Sequence, residues 1–407
     1  MNRTTPPLDF ASLFAPGLPP PAAKWNGFAE YNFIGGHNDA DQVPLDDLIK
    51  AMNDVLAREG RMLATYGVAS GPLGYKPLRE FLAQKLKRTA GIGCDADEIL
   101  LTSGSLQALD LVNGIFLTRG DTVIIEQATY QGVLTRLQRL GVEAVGIPLD
   151  GEGIRMDALA AALDGLERRG VRPKYIYTIP TVQNPTGTIL SEARRHEMLR
   201  LSAQYGVPVF EDDCYCDLVW DGKRLPALYA MSERGGVIHI GSFSKSVAPA
   251  LRVGYVVAPW PLLSRMLALK TDAGSGALEQ MILGEFCPVH FEAHVPVLKR
   301  ASGKTRNIDG YAQPAFRNRG RIRRSERRHF PLGQIPVTSR YAPNGRPTKA
   351  TAKTARGCVS PIRRTKRSAP GSLPWPKCAA VNSACRRGLP MSNPARLKRF
   401  KIPARPD

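Results

Sequence analysis

The sequence predicts an α/β fold of three layers, in which a mostly parallel sheet lies between two layers of helices. Two features predict it. Short apolar runs rich in Val and Ile recur between residues 99 and 257, and stretches with apolar residues at helical spacing separate them. Strands that are apolar throughout, joined through helices, belong in a parallel sheet covered on both faces. A third regularity concerns place. Most of the polar motifs follow strands directly, at the carboxyl ends where such sheets bind their ligands.

Residues 1–42 are rich in Pro and Gly and read as an extended arm. A helix begins near Pro44, which suits a first helical turn, and Leu45, Leu48, Ile49, Met52, Val55 and Leu56 fall on one face. Residues 66–74 form a glycine-rich loop. The next helix covers about 77–90, with Leu78, Phe81, Leu82 and Leu86 inward and Gly91 ending it. Residues 99–102 are a strand, and the helix after it runs over about 106–117. A strand at 122–126, a helix near 132–140 and a strand at 142–147 follow. Residues 174–179 read as a strand, 191–205 as a helix and 207–210 as a strand. Strands at 237–240 and 253–257 complete the sheet. The last amphipathic helix runs over about 277–299.

The net charge of +20 is unevenly spread. Residues 1–299 hold 29 Lys and Arg against 33 Asp and Glu, the balance of an ordinary soluble unit. Residues 300–407 hold 27 basic and 3 acidic residues with 13 prolines, and show no sustained periodicity. Such a segment buries too little apolar surface to fold alone, and disorder is expected. The domain reading is therefore an arm over 1–42, a ligand-binding unit over 43–299 and a basic, Pro- and Arg-rich tail over 300–407. A shifted reading frame in a GC-rich gene would produce that composition. A genuine basic tail that neutralises nucleic-acid phosphates ranks lower.

No apolar run is long enough to span a bilayer, and the first residues lack the apolar core of a signal peptide. A cytoplasmic protein without a membrane partner is expected. The seven cysteines form no disulfide framework. Cys214 and Cys216 have C-x-C spacing without a second ligand pair nearby, which points to free thiols and no metal site.

The most informative stretch is Gly241-Ser242-Phe243-Ser244-Lys245, followed by Pro249 and Arg252. An amine just past a strand can form a Schiff base with an aldehyde, and a nearby hydroxyl and guanidinium suit a phosphate. A phosphorylated aldehyde held both ways is pyridoxal phosphate. Asp212, directly after a strand, can pair with a protonated pyridine nitrogen, and Tyr215 is placed to reach the ring oxygen. Asn184-Pro185-Thr186-Gly187 is a turn whose Asn184 can donate to the same oxygen. Ser103-Gly104-Ser105 stands at a strand-to-helix junction, where free N–H groups attract phosphate. Tyr130, past another strand, can stack on the ring. Taken singly, each has an ordinary reading as a cap, a turn or a rim residue.

In this order and placement, residues 30–290 resemble the fold-type I pyridoxal-phosphate-dependent aminotransferases of class I/II. The resemblance is to the branch with 2-aminoadipate-type aminotransferases and to the aminotransferase-like half of MocR regulators. It is carried by the motifs above together with Tyr66, Gly71 and Gly74. It implies that Lys245 forms the Schiff base and moves the substrate proton, that Asp212 pairs with the pyridinium, and that Asn184 and Tyr215 bond the ring oxygen. It further implies that Tyr130 stacks on the ring and that Ser103, Gly104, Ser105, Ser242 and Arg252 hold the phosphate. Tyr66 would reach the phosphate of a neighbouring subunit in a homodimer, and Gly35, Gly36 and Asn184 would line the substrate side. The implied function is transfer of an amino group from an L-amino acid to a 2-keto acid. The resemblance also implies a small α/β domain after about residue 300, with an arginine for the substrate carboxylate. That domain is not found in the tail, so impaired activity is expected. Two alternatives are a MocR-like regulatory module, against which the short stretch ahead of Pro44 counts, and a C–S lyase using the same cofactor.

Overall fold

The computed structural model describes residues 8–15, 18–28, 36–219, 224–232 and 235–317, the last of these, beyond 300, by their backbone alone. The expected tail therefore lies outside the described residues from 318 onward. The strands are β1 Ile99–Ser103, β2 Thr122–Glu126, β3 Glu143–Ile147, β4 Leu149–Asp150, β5 Gly153–Ile154, β6 Ile176–Thr178, β7 Val209–Asp212, β8 Val237–Ser242 and β9 Val253–Val257. Seven form one sheet in the order β1-β9-β8-β7-β6-β2-β3, while β4 and β5 make a separate hairpin. From β3 across to β8 every pairing is parallel. β9 runs antiparallel to both β8 and β1. Its reversal has a consequence for the site. The start of β9 lies on the same sheet edge as the ends of its neighbours, so Ser103 pairs with Val253 and Ser242 with Gly254.

The helices are α1 Leu45–Glu59, α2 Lys76–Ala90, α3 Gly104–Phe116, α4 Gln131–Leu140, α5 Met156–Arg168, α6 Glu192–Tyr205, α7 Leu228–Met231, α8 Trp260–Leu269 and α9 Ala277–Arg317. Alternation along the strands sorts them into two layers. Val123, Ile125, Phe210 and Ile238 face a core built with α3, α4 and α8. Ile124, Val209 and Val237 face the opposite side, against α5, α6 and α7. On the sheet's far flank, Ile99, Leu101, Tyr255 and Val257 pack with α1, α2 and α9. The expected three-layer α/β/α arrangement is the one observed.

Differences from the predicted elements have physical reasons. α5 and α8 fall in stretches without a predicted element; α5 buries Leu159, Leu163 and Leu166 at helical spacing. α1 buries Ala51 and Val55, yet Leu45 and Ile49 stay 61% and 43% exposed. The helix packs on α9 along only part of its apolar face. α9 continues to Arg317, past the expected end near 299. Strand β7 begins two residues later than predicted, after Pro208, and so carries Asp212 as its last residue.

Gly254 sits where β9 meets the first turn of α3. A methyl group there would lie 2.7 Å from the Gly104 carbonyl carbon and the Ser105 amide. Gly254→Ala should therefore lower stability by about 1–3 kcal/mol through overpacking against backbone. Gly60→Ala, which meets only Leu56 at ordinary contact distance, should stay within about 0.5 kcal/mol of the parent. Paired urea denaturations check both; equal midpoints for the two variants would contradict this packing.

Candidate active site

One edge of the sheet opens into a cavity of about 630 Å³. Of the predicted residues, Gly36, Ser105, Tyr130, Asn184, Asp212, Tyr215, Ser242, Lys245 and Arg252 all line it. Lys245 Nζ donates to the Gly36 carbonyl at 2.6 Å and stands 5.9 Å from the centre of the Tyr215 ring. Burial lowers its pKa from the ordinary value. The Gly36 backbone has φ +54, and a methyl group there would come within 3.1 Å of Lys245 Nζ. The arm thus approaches the amine at a residue with no side chain.

Asp212 is 5% exposed. Its Oδ2 accepts from the Tyr177 hydroxyl at 2.6 Å, and its Oδ1 accepts from the Cys214 amide at 3.4 Å. Burial raises its pKa, and those hydrogen bonds offset only part of the effect. Asn184 Nδ2 donates to the Tyr215 hydroxyl at 3.0 Å. Burial pushes Tyr215 up to about 12, so its hydroxyl is protonated at neutral pH. Tyr130 caps α4 and turns its half-buried ring over Gly132, where a methyl group would strike the ring.

A cluster of hydroxyl and guanidinium groups occupies another wall. Ser242 and Ser244 bond through their hydroxyls at 2.9 Å, and the Ser244 amide donates to Ser242 Oγ at 3.0 Å. Arg252 Nη1 reaches Ser244 Oγ at 3.5 Å and the Pro249 carbonyl at 2.9 Å. Arg252 has φ +54, a left-handed backbone that a side chain rarely adopts and that costs about 1–2 kcal/mol. That turn lays the guanidinium over Gly104, filling the space a side chain at 104 would need.

Three predicted residues are placed otherwise. Ser103 and Gly104 adjoin the cavity without lining it: the Ser103 amide donates to Gln107 Oε1 at 2.8 Å and Gly104 is covered by Arg252. Tyr66 is 88% exposed and lines a second cavity of about 280 Å³. Gly35 lies outside the described residues.

Sequence reasoning did not single out Tyr177, and it named Ser244 and Cys214 without giving either a role at the cavity that both of them line. It also missed a buried carboxylate, Glu126, which burial pushes up to about 7. Behind Asp212, Glu211, Asp213 and His239 converge with donor atoms within 4.8 Å of one another. Each carboxylate is already engaged. Glu211 accepts from the Leu228 and Tyr229 amides and bonds His239 Nδ1 at 2.9 Å, while Asp213 pairs with Arg224. Burial, the largest single influence, would raise Asp213, but the neighbouring positive groups, Arg224 foremost, together hold the carboxyl low. Among the described cysteines, Cys94, Cys214, Cys216 and Cys287 form no disulfide. No helix among the described residues is long and apolar enough to cross a membrane.

A mostly parallel sheet whose strand edge gathers a lysine, a buried aspartate and an arginine defines the fold-type I α/β class. Over residues 29–283 the chain matches the family Aminotransferase class I and II, and it belongs to that family. It is 33% identical to aromatic-amino-acid aminotransferase 1 of Thermococcus litoralis, over 65% of this chain and 64% of that one. It is 35% identical to the uncharacterized HTH-type transcriptional regulator YdfD of Bacillus subtilis, over 62% of this chain and 52% of that one. Among solved structures it is similar to LysN, the α-aminoadipate aminotransferase of Thermus thermophilus, complexed with N-(5'-phosphopyridoxyl)-L-leucine. That likeness has a TM-score of 0.60 and 33% identity, and covers 66% of this chain and 67% of the other. The chain spans between half and two thirds of these curated relatives.

Lowered by burial, the Lys245 amine should lose its proton at a lower pH than Lys50, whose pKa Asp54 raises. Competitive reductive methylation across pH 7–11, read by peptide mass spectrometry, checks this. Coincident labelling midpoints for the two lysines would contradict it.

Proposed function

We propose that this chain is a pyridoxal-phosphate-dependent aminotransferase that moves an amino group from an L-amino acid to a 2-keto acid. The observation that carries the reading is the convergence of Lys245, Asp212 and Arg252 on one cavity. The residues present fit the cofactor. A buried carboxylate of raised pKa calls for a cation, which a protonated ring nitrogen would supply. Arg252, Ser242, Ser244 and Ser105 at the start of α3 would form a cradle for a phosphate, with Gly104 letting Arg252 lie close over the first turn of α3. The solved relative holds a phosphopyridoxyl amino acid.

Bound there, the cofactor supplies an electron sink for the charge left when a substrate loses its α-proton. Lys245 Nζ would hold the cofactor at its aldehyde and is the base placed to take up and return the substrate's α-proton. Asp212 would hold a protonated ring nitrogen. Asn184 and Tyr215, already bonded to each other, would orient the ring oxygen. Tyr130 would lie against the ring, and Gly36 leaves room beside the amine. Tyr66, exposed at the second cavity, is presented to the other subunit of a homodimer. The cofactor-binding unit is read as 43–299, with 1–42 an arm and 300–407 a basic segment. Weak turnover and a cytoplasmic setting belong to this reading.

Borohydride reduction of the protein mixed with pyridoxal phosphate should fix one phosphopyridoxyl group on the peptide carrying Lys245, and none in Lys245→Ala. Asp212→Ala should retain the cofactor at least about tenfold more weakly. With an amino acid and a keto acid the native chain should show ping-pong kinetics. Release of ammonia and pyruvate from a cysteine conjugate, without amino transfer, would instead establish the lyase reading. Turnover by Lys245→Ala would overturn both.

A further inference from the structure

We propose that Glu126 is a positioning residue for the Asn184 turn, acting through Gln183 to fix where Asn184 and Tyr215 present their polar groups to the cavity. The proposal rests on reading that cavity as the cofactor site. Glu126 is the last residue of β2 and is 1% exposed. It does not line the cavity, whereas Gln183 does. Glu126 Oε1 accepts from the Thr178 hydroxyl at 2.7 Å and from the Ile179 amide at 3.0 Å. Its Oε2 accepts from Gln183 Nε2 at 2.8 Å.

From Gln183 the chain of bonds continues into the turn. Gln183 Nε2 also donates to the Ala128 carbonyl at 2.6 Å. Its Oε1 accepts from the Thr186 amide at 2.9 Å and the Thr186 hydroxyl at 2.7 Å. Its backbone closes the loop, taking the Gly187 amide at 2.6 Å and giving its own amide to the Thr188 carbonyl at 2.8 Å. Asn184 lies inside this closed turn, with its side chain on the Tyr215 hydroxyl.

Two backbone amides fix the polarity of this path. A backbone amide only donates, so Gln183 must keep its carbonyl end toward Thr186. Its amino end then faces Glu126. On the other side of Glu126 the Ile179 amide also only donates. The residue at 126 must therefore accept at both ends, which a carboxylate does and an amide cannot. Glutamine at 126 has the same size, but its amino group must oppose either Gln183 Nε2 or the Ile179 amide. The role of Glu126 is thus one of hydrogen-bond polarity, with volume playing no part in the comparison. Thr178 and Gln183 are themselves 0% and 3% exposed, so water has little access to repair a mismatch.

The test uses the full chain as wild type, Glu126→Gln, Asn184→Ala and the double variant. Two quantities are read. The first is hydrogen exchange of the cofactor-free protein over peptides covering 183–188, with peptides covering Asp212 and Ser244 as internal controls. The second is the dissociation constant for pyridoxal phosphate by absorbance titration. Glu126→Gln should speed exchange of the Thr186 and Gly187 amides by about tenfold or more and leave the controls unchanged. It should weaken cofactor binding by about tenfold, and the double variant should bind within about twofold of Asn184→Ala, because both changes break one path. Unchanged exchange in the turn, or binding losses that multiply in the double variant, would overturn the proposal. If Glu126→Gln does not fold, Gln183→Met cuts the same path at its middle and must give the same two results. If the wild-type chain does not bind pyridoxal phosphate, the cofactor reading falls, and the exchange comparison alone decides the role of Glu126.

Discussion

Burying the Asp212 carboxylate at the end of β7 costs free energy that Tyr177 and the Cys214 amide only partly return, and the arrangement around it follows from that cost. An acid in that place is stable as a charge only when a cation joins it. The surrounding groups are placed to admit one. Lys245 and Arg252 stand at other walls of the same cavity, engaged with Gly36 on one side and with Pro249 and Ser244 on the other. Asp212 and these two cationic side chains therefore line one cavity together, with the carboxylate the most deeply buried of the three.

Strand alternation is what separates the cavity-lining residues from those that support them. Asp212 shares a strand face with Phe210, in the register of Tyr177, so its side chain and the Tyr177 hydroxyl meet on the same side. Glu211 points the other way and meets His239, its direct neighbour on β8. One side of β7 therefore faces the ligand space, and the other ties the strand to β8 and to the start of α7. The reversal of β9 completes the edge. Without it Arg252, which precedes its strand, would lie at the opposite end of the sheet from Lys245, which follows its own.

Much of this was legible in the chain itself. The lysine past β8, the acid closing β7 and the asparagine turn past β6 are each local: a strand, then a polar residue within a few positions. Their meeting in one cavity follows from the parallel sheet. What the sequence withheld depends on register between distant strands. Tyr177 reads as one more aromatic residue in an apolar run until β6 is set beside β7. Glu126 reads as a polar strand end until β2 lies against β6 and Thr178 comes within reach. The helix α5 is a different case. Its Leu159, Leu163 and Leu166 stripe was present in the sequence, diluted by alanines that carry little apolar signal. The exposure of Leu45 and Ile49 was beyond periodicity, which marks an apolar face without saying how much of it a neighbour covers.

The central claim is that the edge formed by β1, β9, β8, β7 and β6 is one cofactor site, with its amine, its acid and its phosphate cradle in fixed places. A crystal structure of the chain grown with pyridoxal phosphate tests it most directly. The account predicts density continuous with Lys245 Nζ, a ring nitrogen against Asp212, and a phosphate between Arg252, Ser242 and the first turn of α3. Cofactor bound elsewhere on the fold, or a phosphate set away from Arg252 with the ring reversed in the cavity, would contradict it.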